Sequence, residues 1–358
     1  MSVMAPSPPS AATRVTAQDT GHVTPVSART PAEERVLLRQ VLAGAPPTLF
    51  VASDLHLGVG YDPVTGAVAT TENFLADEAF AAFVAGHAHA AAAHAVVVLN
   101  GDILDFLRVT RVPDSQDELN AWAARLAHLD EPDLARRAGS DVDRVERRYG
   151  LKTTPEKTVW KLMVIAGGHP GFFRALATWV AGGGGLVIGG GNHDPELYWP
   201  LVRRAIRDEL LALGAPLAGV ETRVAFANRA FKVGNVFLEH GHQIEEMTRI
   251  SGGPVLRGAP DQINLPLGSF VNRYLINAIE GLDPLIDNIT PVQAALVMLL
   301  RQVPITMVGI YVRGWRFLYR VVLQMRRFNS SVATVAALLF IPLVPVVLVA
   351  LYWLVPQL

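Results

Sequence analysis

The chain has 358 residues, with 31 Lys and Arg against 32 Asp and Glu, for a formal net charge of −1. That balance lacks the basic footprint of a nucleic-acid-binding protein, so no nucleic-acid partner is expected. Cysteine is absent, which excludes disulfides and fits a reducing compartment. Hydrophobic residues make up 51% and the mean hydropathy is +0.30, high for a soluble enzyme, with the excess near the C-terminus.

Residues 1–30 are rich in Ala, Ser, Thr and Pro and show no apolar stretch after a basic start. They read as a disordered tail rather than a signal peptide. Residues 31–250 read as one α/β domain, with its core at 48–245. Pro31 followed by two glutamates opens a helix that Gly44 and Pro46-Pro47 stop. Thr48 to Ser53 and Ala95 to Asn100 are apolar runs of strand length, separated by an Ala-rich helical stretch from Glu72 to Ala93. Residues 106–180 read mostly as helix, with Asp141 to Arg148 as a solvated charged face. Gly182 to Gly185 end that region before a third strand, Leu186 to Ile188. A helix over Pro200 to Leu213 precedes short strands at Arg223 to Ala227, Ala230 to Val233 and Asn235 to Glu239. Either Asn228-Arg229 or Gly234-Asn235 can turn a hairpin there.

Beyond about Ser251 the character changes. Residues 251–330 form an apolar and basic, membrane-proximal helical region that includes Arg313, Arg316, Arg320, Arg326 and Arg327 without an intervening acid. Residues 332–355 are 24 positions without a charge. That length suits a bilayer core, so 331–356 is expected to be a transmembrane helix. The arginines on its N-terminal side place the α/β domain in the cytoplasm by the positive-inside rule.

Four clusters stand at the ends of the apolar runs: Asp54-Leu-His56, Gly101-Asp102 with Asp105, Gly191-Asn192-His193-Asp194, and His240-Gly-His242. Each alone is weak, but the ordered set is not, because α/β sheets build ligand sites at the carboxyl ends of their strands. Carboxylate and imidazole suit divalent manganese, iron or zinc. Two such ions ~3.5–4 Å apart clamp a phosphate and acidify a water. On extended backbone, the i, i+2 spacing of Asp54 with His56, and of His240 with His242, would put each pair on one face.

This ordered set resembles that of the calcineurin-like metallophosphoesterases, and is most similar to their UDP-2,3-diacylglucosamine pyrophosphohydrolase-like branch. The resemblance covers a little over half of the chain. It implies a two-sheet α/β/β/α sandwich, here with a C-terminal membrane helix or helices. It implies two divalent metal ions: Asp54 and His56 on the first, Asp102 bridging, Asn192 and His240 on the second. His193 would be the acid at the leaving oxygen, with Asp105 and Asp194 orienting it or the ligands. The expected substrate is a phosphate ester or pyrophosphate, and a lipid-linked one fits the apolar and basic C-terminal segments. The final Gly-His-x-His motif of the family is missing, since no histidine follows His242. Either His240 is the fourth motif and the fifth is absent, or His240 and His242 are the fifth and the fourth is absent. A part holding the last motif then lies beyond this sequence, or the chain is a tail-anchored, degenerate member acting as a scaffold or binding module.

Overall fold

The computed structural model describes residues 26–43, 48–62, 65–277 and 309. The membrane-helix expectation at 331–356, and most of the basic region before it, lie outside these residues. No helix among the described residues is long and apolar enough to cross a membrane.

Helix α1 (Pro31–Val41) starts with a complete capping box. Thr30 Oγ1 accepts from the Glu33 N–H, and Glu33 returns a carboxylate to the Thr30 N–H. Strand β1 (Leu49–Ala52) follows. The Ala-rich stretch is shorter than expected: it gives α2 (Asp77–Gly86) and α3 (Ala88–Ala92). Glu72 stands outside both helices because its carboxylate is engaged by loop amides. Strand β2 (Val96–Asn100) leads into five helices: α4 (Gln116–His128), α5 (Pro132–Arg136), α6 (Glu146–Tyr149), α7 (Pro155–Gly168) and α8 (Pro170–Ala181). The charged run at 141–148 is not simply a solvated face. Glu146 is fully buried and salt-bridged to Lys157, itself 1% exposed, at 2.9 Å. Burial of that glutamate is tolerated because the ammonium comes with it.

Strand β3 (Gly185–Gly189), α9 (Pro200–Ala212), α10 (Leu217–Arg223) and β4 (Val224–Ala227) complete the sheet. The four strands are all parallel and lie in the order β1-β2-β3-β4. Strand-helix-strand crossovers are right-handed almost without exception. A sheet whose strands follow chain order therefore throws every crossover helix to one side. The side chains agree, through the two-residue alternation of a strand. Val97, Leu99, Leu186, Ile188 and Phe226 face the large core built with α2, α4 and α7 to α10. Val96, Val98, Val187 and Ala227 face a smaller core.

The smaller core is closed by α1 (Leu38, Val41) and by an antiparallel hairpin, β5 (Phe231–Val233) and β6 (Val236–Leu238), turned at Gly234-Asn235. A second hairpin, β7 (Val255–Leu256) with β8 (Ala259–Ile263), precedes α11 (Leu267–Val271). The α/β class stands, with a four-stranded parallel sheet and two two-stranded sheets among the described residues. Residues 251–277, read from sequence as membrane-proximal, fold onto the domain. Ile263 and Leu265 join the large core, and Arg273 donates to Leu151 O at 2.9 Å.

Candidate metal centre

The loops leaving β1 and β2 run side by side past the sheet edge. The Asp54 N–H donates to Gly101 O (3.1 Å), His56 N–H to Asp102 O (2.9 Å) and Leu57 N–H to Ile103 O (2.8 Å). Asp54, His56 and Asp102 all take positive φ, at 56°, 54° and 52°. Backbone of this kind costs about 1–3 kcal/mol per residue and is held only where its surroundings demand it. It also departs from the extended spacing expected of Asp54 and His56. Their side chains diverge, and each joins a different group.

Two trios of potential ligands result, His56 with Asp102 and His193, and Asp54 with Asp102 and His240. In each, one donor atom per residue lies within 4.8 Å of the others. Asp102 belongs to both. It is buried at 3% exposure, with Oδ2 3.6 Å from His240 Nε2 and 4.0 Å from His56 Nε2. Its other oxygen accepts the His193 N–H at 2.8 Å. The Asp54 side chain is 60% exposed, so that trio opens to solvent. A mixed carboxylate and imidazole set with one shared carboxylate has the donor chemistry for a pair of divalent ions.

His193, the acid of the resemblance, is itself a member of the first trio. Its ring meets His56 edge to face with centroids 4.5 Å apart. Asp105, fully buried, holds both rings: Oδ2 is 2.8 Å from His193 Nδ1 and 3.1 Å from His56 Nδ1. Arg108 Nε donates to the same oxygen at 3.1 Å. Burial works against the Asp105 charge, but His193, His56 and Arg108 outweigh it and hold the carboxyl well below the usual range. Burial likewise opposes charge on His193, yet Asp105 and then Asp102 raise it to about 9.

Asp194 sits behind Asp102 with no exposure. It accepts N–H bonds from Gly191 (2.5 Å), Ile103 (2.9 Å) and Leu104 (3.3 Å), tying the third motif to the second. Burial and the neighbouring Asp102 charge push it up to about 7. Gly191 is required by this closeness, since a Cβ there would strike Asp102 Oδ1 and lie 2.6 Å from Asp102 N. Asn192 is buried in the same turn, and its carbonyl accepts from Ser269 Oγ at 3.1 Å.

His240 and His242 do not share a face toward one ion, because Gly241–Gln243 forms a 3-10 turn where extended chain was expected. His240 Nε2 reaches Asp54 and Asp102, while its Nδ1 lies 2.8 Å from His242 Nδ1. His242 thus stands behind His240. Burial and the adjoining His240 lower it to about 4.

Sequence reasoning missed a second group that steadies the site. His169 is fully buried with Nε2 3.2 Å from Glu72 and Nδ1 3.1 Å from Asp77. Burial opposes its charge, but the two carboxylates raise it to about 9. Glu72 in turn accepts from the N–H groups of Gly58 (3.1 Å), Gly60 (2.5 Å) and Phe74 (2.7 Å). It pins the segment that follows His56. Neither Glu72 nor His169 belongs to the four clusters, and no spacing in the sequence marks them as partners.

Comparison with protein-family models, with curated proteins and with solved structures finds no match to the chain.

Proposed function

We propose that the chain is a metal-dependent phosphoesterase that hydrolyses a phosphodiester, phosphomonoester or pyrophosphate bond. The observation that carries this reading is the pair of trios sharing Asp102 at the carboxyl ends of parallel strands. Asp54 with His240 would hold one divalent ion and His56 the other, both against the common Asp102, with Asn192 available from the third motif and His193 left beside His56 as the acid. Manganese, iron or zinc bound there would neutralise phosphoryl charge and draw a water toward ionisation. Asp105 fixes His193 through Nδ1, which leaves Nε2 as the atom that can give a proton to a leaving oxygen. Asp194 and Glu72 act through the backbone, holding the Asp102 and His56 loops in place. The β5–β6 hairpin, packed on the sheet face opposite the crossover helices, supports the sandwich that the calcineurin-like resemblance implies.

The substrate reading extends to a lipid-linked phosphate at a membrane. A cavity of about 480 Å³ beside the His56 loop, walled by Val59, Val68, Trp160, Met163 and Val164 with Arg111, supports an apolar portion of the substrate. The uncharged run at 332–355 supports tethering, with the domain on the cytoplasmic side.

The test is hydrolysis of bis(p-nitrophenyl) phosphate with added manganese. Wild type is expected to turn over, Asp102→Asn to lose activity, and His193→Ala to fall by about 10²–10⁴-fold. Undiminished activity in Asp102→Asn overturns the reading. A second reading, a degenerate member serving as a membrane scaffold, is favoured by His242 standing behind His240 instead of joining a trio. Metal analysis separates the two: close to two ions per chain counts against the scaffold.

A further inference from the structure

A cavity of about 330 Å³ opens at the carboxyl ends of β3 and β4, bordered on the metal-centre side by Gly191 and His242. Its polar wall is Arg203, Asn228, Arg229, Tyr198 and Gln243, and the described residues lining it include no carboxylate. Arg203 is the unusual member. It is 5% exposed, with Nε donating to Leu197 O at 2.5 Å, Nη2 donating to Asn228 Oδ1, and the guanidinium 5.4 Å from the Phe226 ring centroid. Its Nη1 makes no hydrogen bond, and the guanidinium no salt bridge, among the described residues.

Other arginines nearby are matched: Arg207 pairs with Glu34 at 2.7 Å, Arg204 with Glu131 at 2.6 Å, and Arg125 with Asp208. A buried cation ordinarily comes with a counter-charge. Burial, helped by the neighbouring Arg207 charge, pushes the Arg203 guanidinium down to about 10, with Glu34 pulling it back only in part. Arg229 adds a second, 67% exposed guanidinium, whose nearest acid is Glu239 at 3.6 Å. Guanidinium donors in this number suit a phosphate, which offers oxygens for forked hydrogen bonds.

We infer that this cavity binds a second, non-reacting phosphate group of the substrate, with Arg203 and Arg229 as the residues that select it. Calling the ligand a substrate rests on the phosphoesterase reading; the anion site itself does not. The substrate class is then a phosphate ester carrying another phosphate beyond the bond that breaks. Arg203 would meet it from the wall and Arg229 from the mouth, while the metal centre handles the scissile phosphorus.

The test is calorimetric titration of the full chain with inorganic phosphate in the presence of a chelator, so that bound ions make no contribution. Asn228→Asp keeps the size of the side chain and its bond from Arg203, but supplies the missing counter-charge. It is expected to weaken phosphate binding at least tenfold, and Arg229→Gln severalfold. Asp102→Asn, altered only at the trios, is expected to bind at least as tightly as wild type. Circular dichroism checks that Asn228→Asp folds; if it does not, the exposed Arg229→Gln decides. No binding by wild type, wild-type affinity in both cavity variants, or loss in Asp102→Asn overturns the inference. An inactive protein that shows the expected pattern removes the hydrolase reading and keeps the anion site, and an active one without the pattern does the reverse.

Discussion

His169 shows how much one side chain can govern at a distance from the chemistry. Its folded pKa of about 9 lies above the ordinary 6.5, so its contribution to stability is whole below about pH 6.5 and fades as pH rises through about 9. His193, also raised to about 9, acts with the same sign, whereas Lys161, which burial lowers to about 8, acts with the opposite one. The difference between wild type and His169→Gln therefore isolates this residue. In urea unfolding at pH 7 the variant is expected to be about 3–5 kcal/mol less stable, the usual cost of stripping a partner from buried charge. That gap should narrow by pH 10; a constant gap would sink the account. The four motif clusters were legible because their residue types stand at the ends of apolar runs. Their grouping was not: the i, i+2 spacing was read on extended chain, and positive φ at Asp54 and His56 sends the two side chains apart. His169 gave no motif to read, because its partners Glu72 and Asp77 lie 97 and 92 positions away in sequence.

At the scale of elements, the candidate metal centre depends on α7, which contributes no member of either trio. The last residue of α7, Gly168, packs backbone to backbone on the His56 loop. Its carbonyl accepts the Tyr61 N–H at 3.3 Å, and a Cβ on Gly168 would strike Val59 O and lie 2.7 Å from Val59 C. Gly168→Ala must push the loop away from the helix. A loss of about 1–3 kcal/mol is expected from the overpacking. Manganese affinity should fall about 10–100-fold, as when a ligand's support is removed. Wild-type affinity in this variant, read by titration of manganese, would show that the loop is positioned without α7. The parallel strands were readable as apolar runs and the β5–β6 turn as a Gly-Asn pair. The β7–β8 hairpin and α10 were not, because their apolar residues are few and α10 carries a glycine, Gly219, in its interior.

For the whole molecule, ions that bind only the folded chain must stabilise it by mass action. Manganese at about 100 times its dissociation constant supplies about 2.7 kcal/mol per site. For a domain of this size that corresponds to a rise in Tm of about 5–10 °C. Calorimetry should find the rise in wild type and not in Asp102→Asn, where both trios lose their common member. An equal rise in the variant would place the ions elsewhere. The α/β class was legible from alternating strand and helix patterns. The layering was not, since no local pattern announces that strands will be laid down in chain order. That order has a further consequence. All crossover helices bury one face of the sheet, while among the described residues the other is covered by α1 and a hairpin with strands of 3 residues each. Protection against opening is thus unequal on the two sides. The amides of α1 and β5–β6 should exchange with solvent hydrogen through local fluctuations, whereas those between β2 and β3 wait for the domain to unfold as a unit.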